Sequence, residues 1–319
     1  MFNGIVSIYK EQGFTSHDVV AKLRGIYGQK KIGHTGTLDP MAEGVLIVCL
    51  GQATKLSNLI ISKDKRYIAT MRLGINTDTD DITGQVTSEC DPETLKNLLA
   101  DEDSFKEKLC RIFSKYMGSS MQIPPMYSAI KVEGKKLYEY ARAGITIERK
   151  PRPIEIFKLE LRSLESEKAE ITFEVECSKG TYIRSLIRDI GENLQVGASM
   201  SMLVRDEVNG ITIKDSYRIS DIQRMKEDGN LAASVMPMDV LLKNYPSVDI
   251  NDTGVKYLQN GNKLLQKDLK VREIISDGEE QFWETVKNSD FIRVYMDDSL
   301  KALYKYDKEN TCYKVFKML

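Results

Sequence analysis

Histidine is scarce in this chain and closely spaced cysteine is absent. His17 and His34 are the two histidines, and Cys49, Cys90, Cys110, Cys177 and Cys312 form no CxxC pair. No zinc-ligand spacing results, so no metal is expected, and the five dispersed thiols suit buried or incidental cysteine. The apolar run VLIVCL from Val45 to Leu50 falls far short of the roughly 20 residues a membrane helix needs. The opening MFNGIVSIYK has neither a basic leader before a long apolar stretch nor a small-residue cleavage pattern, so a cytoplasmic protein is expected. A net charge of -1 gives no global basic signature of the kind many nucleic-acid binders carry. Internal repeats, low-complexity tracts, glycine-serine linkers and lysine-rich extensions at either end are missing too.

What is present suits an ordinary globular protein. With 319 residues, 41% of them hydrophobic, the chain can hold one large domain and a small one. Its charges are segregated. Residues 1–66 and residues 129–163 each carry nine Lys/Arg against five Asp/Glu, whereas residues 76–104 carry nine acids against Lys96 alone. Such a distribution permits a basic face that steers a polyanion, with the acidic stretch turned away from it, or two merely solvated faces.

Strands are predicted at 4–10, 45–50, 66–74 and 170–177, where Ile171, Phe173, Val175 and Cys177 alternate with polar residues. Helices are predicted over 16–27 with Ser16 as N-cap, over 54–61, within 92–116, and over TYIRSLIRDIGENL. In that last segment Ile183, Leu186, Ile187 and Ile190 share one stripe, while Thr181, Arg184 and Arg188 share another. Strands and helices mix without strict alternation, which predicts an α+β fold. Short strand-like runs after Pro246 predict a small β-rich C-terminal domain, giving domains of residues 1–244 and 245–319.

One stretch calls for a chemical reading. GHTGTLDPMAEG, beginning at Gly33, sets Asp39 in a turn of glycine, threonine and proline directly before the apolar run. Unbroken apolarity suits a strand buried on both faces, so Asp39 is expected on a rigid lip beside the core. Its carboxylate could cap the Asp-Pro turn or perform chemistry. Three further stretches place aromatic and basic residues together: KRYIATMRLG with Tyr67, QIPPMYSAIKVEGKKLYEYAR from Gln122 to Arg142, and CSKGTYIRSLIRDIG with Tyr182 and Arg184. Spacing alone does not connect them.

With GHTGTLDP, QIPPMYSAIK and CSKGTYIRSL in this order, the chain resembles the bacterial pseudouridine synthases that modify uridine 55 in the TΨC arm of tRNA. The resemblance implies a pseudouridine synthase catalytic domain with a mixed, mainly antiparallel sheet, followed by a PUA-like RNA-binding domain. It assigns Asp39 as the catalyst, Arg184 as the partner that orients it and lowers its pKa, and Tyr67 as the ring that stacks on the target base. Tyr182 and Leu203 would line the pocket, and His34 would hold the space left by the flipped base. Lys10, Lys30, Lys31, Lys131, Lys135 and Lys136 are candidate phosphate contacts. The implied partner is tRNA, gripped at the TΨC arm and, through the C-terminal domain, at the acceptor arm. Neither cofactor nor guide RNA is implied, and the expected state is a monomer.

Three positions depart from the family pattern. Lys10-Glu11 stands where proline often follows lysine, Ala198-Ser199 where histidine often follows alanine, and Val204-Arg205 where two arginines are usual. Two other readings remain open from the residues: a non-catalytic RNA-binding protein on the same platform, and a glycosidase using Asp39 with Glu43, since glycosidases need two acids flanking one bond.

Overall fold

The computed structural model describes residues 1–61, 64–272 and 279–319. The chain begins with β1 (Gly4–Lys10), α1 (Ser16–Tyr27), β2 (Ile32–Thr35), β3 (Glu43–Leu50), the short α2 (Ser57–Ile61) and β4 (Lys65–Leu73). A small β5 (Ile75–Thr77) and β6 (Val86–Glu89) pair follows, then α3 (Pro92–Leu99), α4 (Glu102–Tyr116) and β7 (Gly118–Gln122). Next come an arm built from β8 (Lys131–Val132), β9 (Lys135–Lys136) and α5 (Leu137–Arg142), the strands β10 (Arg152–Glu165) and β11 (Glu170–Cys177), then α6 (Ile183–Leu194) and β12 (Ala198–Val208). After β13 (Ile211–Thr212) and α7 (Ile219–Glu227), β14 (Ser247–Ile250) opens a second sheet that also contains β15 (Leu269–Val271), β16 (Ile292–Met296), β17 (Ser299–Asp307) and β18 (Cys312–Met318). Two helices accompany it, α8 (Val255–Gln259) and α9 (Glu279–Asn288).

Among the described residues the main sheet has nine strands in the order β1-β3-β12-β4-β11-β10-β7, with β2 on β3 and β13 on β12. Its one parallel pair is β3 with β12, and every other pairing is antiparallel. The fold is therefore α+β with a mixed, mainly antiparallel sheet, as the sequence predicts. Strand β3 is buried on both faces. Leu46, Val48 and Leu50 pack with Val19, Val20 and Leu23 of α1, while Val45, Ile47 and Cys49 pack with Leu56, Leu241 and Leu242. Tyr295, Leu300 and Leu303 of the second sheet join that latter cluster.

Some local readings need correction. Helix α1 spans the predicted residues, but Thr15 caps it in a reciprocal box with Asp18, which frees the Ser16 hydroxyl for a tertiary bond. The segment 92–116 is two helices, because the Asp101 side chain caps a new start at the Ser104 amide. The 54–61 helix begins as a 3-10 turn over Gly51–Leu56. On β11 the apolar face is buried as predicted, but Glu174 on the supposedly wet face is also buried, paired with Lys158 and Arg162.

Candidate active site

Asp39 lies on the loop between β2 and β3, and buried anchors fix that loop. The Leu38 amide donates to Ser16 Oγ at 3.0 Å, and Leu38 and Ala42 are both buried. Lys10 Nζ donates to the carbonyls of Glu11, Pro40 and Ala42 at 3.1, 3.1 and 2.6 Å. From beneath, Arg205 Nε donates to the Val45 carbonyl at 2.7 Å and Nη2 to that of Gly36 at 3.1 Å. Gly36 has φ +86°, a conformation that other residues adopt only with strain. Such fixation is what a catalytic carboxylate needs, because a misplacement of about 1 Å can cost 100-fold in rate.

The carboxylate meets Arg184 side-on. Arg184 Nε lies 2.9 Å from Oδ2, and Nη2 donates to Oδ1 at 3.1 Å. This fork geometry fixes orientation as well as charge. The remaining donors of the guanidinium reach the carbonyls of Tyr127, 2.8 Å, and Thr79, 3.0 Å. Arg184 is 5% exposed, whereas the Asp39 side chain keeps 36% of its surface open. Burial raises the Asp39 pKa, Arg184 opposes the rise, and nearby Asp81 adds to it. Arg184 thus lowers the pKa as expected, but the net direction is upward. The arginine offsets desolvation without overcoming it.

Tyr67 lies on β4 in register with Val175 of β11 and Arg205 of β12. Burial pushes its phenol up to about 12, opposed first by the Arg205 guanidinium. Leu203 belongs to the same buried cluster as Leu38, Ala42 and Tyr67. Tyr182 precedes α6, where its amide and carbonyl are both bonded by the Gln122 side chain, at 2.8 and 3.0 Å. His34 is partly buried with its ring edge-on to that of His17, 6.0 Å between centroids. Desolvation, then His17 and Arg205, lower its pKa.

The chain matches the description "TruB family pseudouridylate synthase (N terminal domain)" over residues 24–183, and the tRNA pseudouridylate synthase B C-terminal domain over residues 184–243. It belongs to the TruB family. Relatives named tRNA pseudouridine synthase B include that of Lachnoclostridium phytofermentans, 45% identical with 99% of each chain covered. That of Staphylococcus haemolyticus is 43% identical, covering 84% of this chain and 87% of its own. Among solved structures, a Cbf5-Nop10-Gar1 complex contains a similar chain with TM-score 0.70 and 26% identity, covering 99% of this chain and 84% of that one. An H/ACA RNP bound to a substrate RNA containing 2'-deoxyuridine shares the fold, with TM-score 0.68 at 24% identity and the same coverages.

Of the residues selected on TruB resemblance, Asp39 and Arg184 are in direct contact, and charges on Asp39 reach Tyr67 and Tyr182. Lys10 is a correction. It is 0% exposed and its ammonium is surrounded by backbone carbonyls, so it holds the Asp39 loop and does not face phosphate. Desolvation takes its pKa down to about 8. Lys30, Lys31, Lys131 and Lys135 are exposed, while Lys136 lies 5.3 Å from the Tyr138 ring centroid. The acidic stretch does not simply turn away from the site either. Thr79 accepts from Arg184, Asp81 Oδ2 lies 4.0 Å from its Nη1, and Asp80 pairs with Arg188 at 3.1 Å. The polar stripe read on α6 therefore faces this acidic turn. Sequence reasoning missed Ser16, Gln122 and Arg205 as supports. Gln122 and Arg205 lie within or beside the motif stretches, but their partners are 60 and 160 residues away. Glu43 accepts from the Tyr9 hydroxyl and the Gln12 amide, an engagement on the β1 side that gives the glycosidase reading no support.

Proposed function

We propose that this TruB-family protein isomerises uridine 55 in the TΨC loop of tRNA to pseudouridine, with Asp39 as the catalytic carboxylate. The observation that carries this reading is the side-on Asp39–Arg184 pair on a loop fixed from several directions, with Tyr67 beside it. The reaction breaks the N1–C1′ bond and joins C5 to C1′ with no redox change, so it requires no cofactor. A target base stacked in the loop must first be flipped out, which costs a few kcal/mol. His34 would fill the vacated space and Tyr67 would stack on the flipped uracil, with Tyr182 and Leu203 closing the pocket.

Asp39 must be ionised to act as a covalent catalyst, and Arg184 favours that form against the burial that opposes it. After the new bond forms, C5 still bears its hydrogen. The C5–H bond then breaks, its electron pair restores the C5=C6 double bond, and N1 gains a proton. Burial holds Tyr67 as a phenol, so the proposed route has its hydroxyl pass its own proton to N1 as it takes the C5 proton, which leaves it a phenol again.

Exposed Lys131 and Lys135 would meet phosphates, supplying affinity more than selection. Residues 245–319 would form a PUA-like domain that grips the acceptor arm. Among the described residues no helix is long and apolar enough to cross a membrane, in keeping with the proposed cytoplasmic enzyme, which would act as a monomer without guide RNA. An accessory tRNA-folding role fits an enzyme that opens and releases this loop. The test is tritium release from a transcript labelled at C5 of uridine, run beside Asp39→Asn. Release by the parent alone is expected; equal release by both would remove Asp39 from its role, and no release by a folded, tRNA-binding parent would favour a non-catalytic platform.

A further inference from the structure

The C-terminal sheet ends on an exposed aromatic row that the chemistry at Asp39 does not use. Strand β18 is an edge of that sheet. Its register against β17 slips between Val315 and Lys317, which leaves Phe316 without a partner in a bulge. A bulge on an edge strand re-aims a side chain, and here Phe316 keeps 47% of its surface exposed. Its ring lies 4.3 Å from that of Phe291 between centroids, and Phe291 meets Tyr245 edge-on at 5.7 Å. Neighbours of the two inner rings line a recess of about 370 Å³, where Asn244, Gln281, Thr285, Asn288 and Ser289 present amides and hydroxyls. Glu284, the acid on its wall, is paired with Lys287 at 2.8 Å, and Lys308 Nζ reaches Asn288 Oδ1 at 3.4 Å. Asn244 also lines a second recess of about 400 Å³, together with Lys243 and with Lys65 and Arg66 of β4. The aromatic row is thereby joined to the strand that carries Tyr67.

We propose that Phe316, backed by Phe291 and Tyr245, is a stacking site for the unpaired nucleotides at the 3′ end of the tRNA acceptor arm. The inference rests on the acceptor-arm role given to residues 245–319 above. An exposed apolar ring on an edge strand invites aggregation unless something covers it, and the surroundings define the chemistry of that cover. A protein partner's apolar side chain would be met by apolar walls. This recess instead sets neutral hydrogen-bonding groups beside π-faces, the combination that takes an unpaired base by its face and its edge. Paired bases keep their faces inside the helix, and the 3′ terminus is where the acceptor arm runs out of pairs. Lys243 and Lys308 are exposed on either side and supply charge for the phosphates between the bases. Asn244, shared by both recesses, makes the platform continuous with the cleft beside β4.

The test measures binding of the full chain and its Phe316→Ala, Phe316→Leu and Phe316→Tyr variants to three RNAs. These are a whole tRNA transcript, the same transcript without its unpaired 3′ nucleotides, and the isolated TΨC stem-loop. Phe316→Ala and Phe316→Leu should weaken binding to whole tRNA by about 5–150-fold, the range of one base stacked on one ring, with the salt slope unchanged. Phe316→Tyr keeps a π-face and should bind as tightly as the parent. The shortened transcript tests the parent with no substitution at all: it should lose a similar factor, and there Phe316→Ala should bind as the parent does. Equal affinity of the parent for the whole and shortened transcripts, or an equal loss by Phe316→Ala on all three RNAs, would overturn the proposal while leaving the acceptor-arm role standing. So would a parent dimer that Phe316→Ala makes monomeric with tRNA affinity intact, because the ring would then cover a second copy. A parent that binds whole tRNA no more tightly than the stem-loop would overturn the acceptor-arm role and this site with it.

Discussion

Asp39 and Arg184 should contribute to stability with opposite signs, although they form one ion pair. Replacing Arg184 with methionine removes both bonds to the carboxylate and those to the Thr79 and Tyr127 carbonyls. A carboxylate already resisted by burial is then left without its cation. Breaking a buried pair from one side costs about 3–5 kcal/mol, and the partial exposure of Asp39 places this case near 3 kcal/mol. Asp39→Asn removes the resisted charge and keeps the shape, so its stability should equal the parent's or exceed it by about 1 kcal/mol, while turnover is abolished. Adding Asp39→Asn to Arg184→Met should restore part of the loss, as a coupled pair requires. The pH dependence has a definite sign. Because the folded-state pKa of Asp39 is raised, its favourable contribution is present below the unfolded value and is lost as pH rises through the folded one. The advantage of Asp39→Asn should therefore shrink as pH falls. Urea unfolding by circular dichroism at pH 7 and pH 5 would measure all four proteins. An Asp39→Asn protein destabilised as much as Arg184→Met would refute this account.

Other outcomes are equally specific. Lys10→Met should lower stability by about 2–4 kcal/mol through three orphaned carbonyls yet leave the salt slope of tRNA binding unchanged; a lower slope would return Lys10 to phosphate contact. Lys131→Ala, if that side chain meets a phosphate, should lower the slope by about 1 with no loss of stability. Ser16→Ala should cost about 1 kcal/mol and slow single turnover without weakening tRNA binding, and unchanged turnover would show that the Leu38 anchor is dispensable. Removing residues after 245 should weaken binding to whole tRNA far more than to an isolated TΨC stem-loop. It should also destabilise the remainder, since Tyr295, Leu300 and Leu303 leave the cluster around Leu241 and Leu242; equal loss on both RNAs would contradict the acceptor-arm role.

The sequence was informative where structure is local. Six apolar residues in a row specified β3, and the two stripes of α6 separated its core side from its arginines. Capping was less legible, because Thr15, Ser16 and Asp18 offer competing side chains, and Ser16 is claimed by Leu38, 22 residues away. Lys10 was misread for a related reason. A lysine in a basic segment looks like surface, and its burial is decided by carbonyls around 30 residues further on. Arg205 stayed hidden because β12 joins β3 and β4 only through tertiary pairing. The motifs named Asp39, Tyr67 and Arg184, but not the neighbours that hold them in place.

The contact between Asp39 and Arg184 spans 145 residues. At a synthesis rate of about 5–20 residues per second, the aspartate leaves the ribosome roughly 7–30 s before its arginine. Arg205, which ties the preceding glycine to the strand beyond, is made later still. A nascent chain can therefore carry the carboxylate and Tyr67 for many seconds as an unoriented pair. Competence arrives late in translation, when the carboxylate, the acidic turn, the Tyr127 carbonyl and α6 close on a single guanidinium.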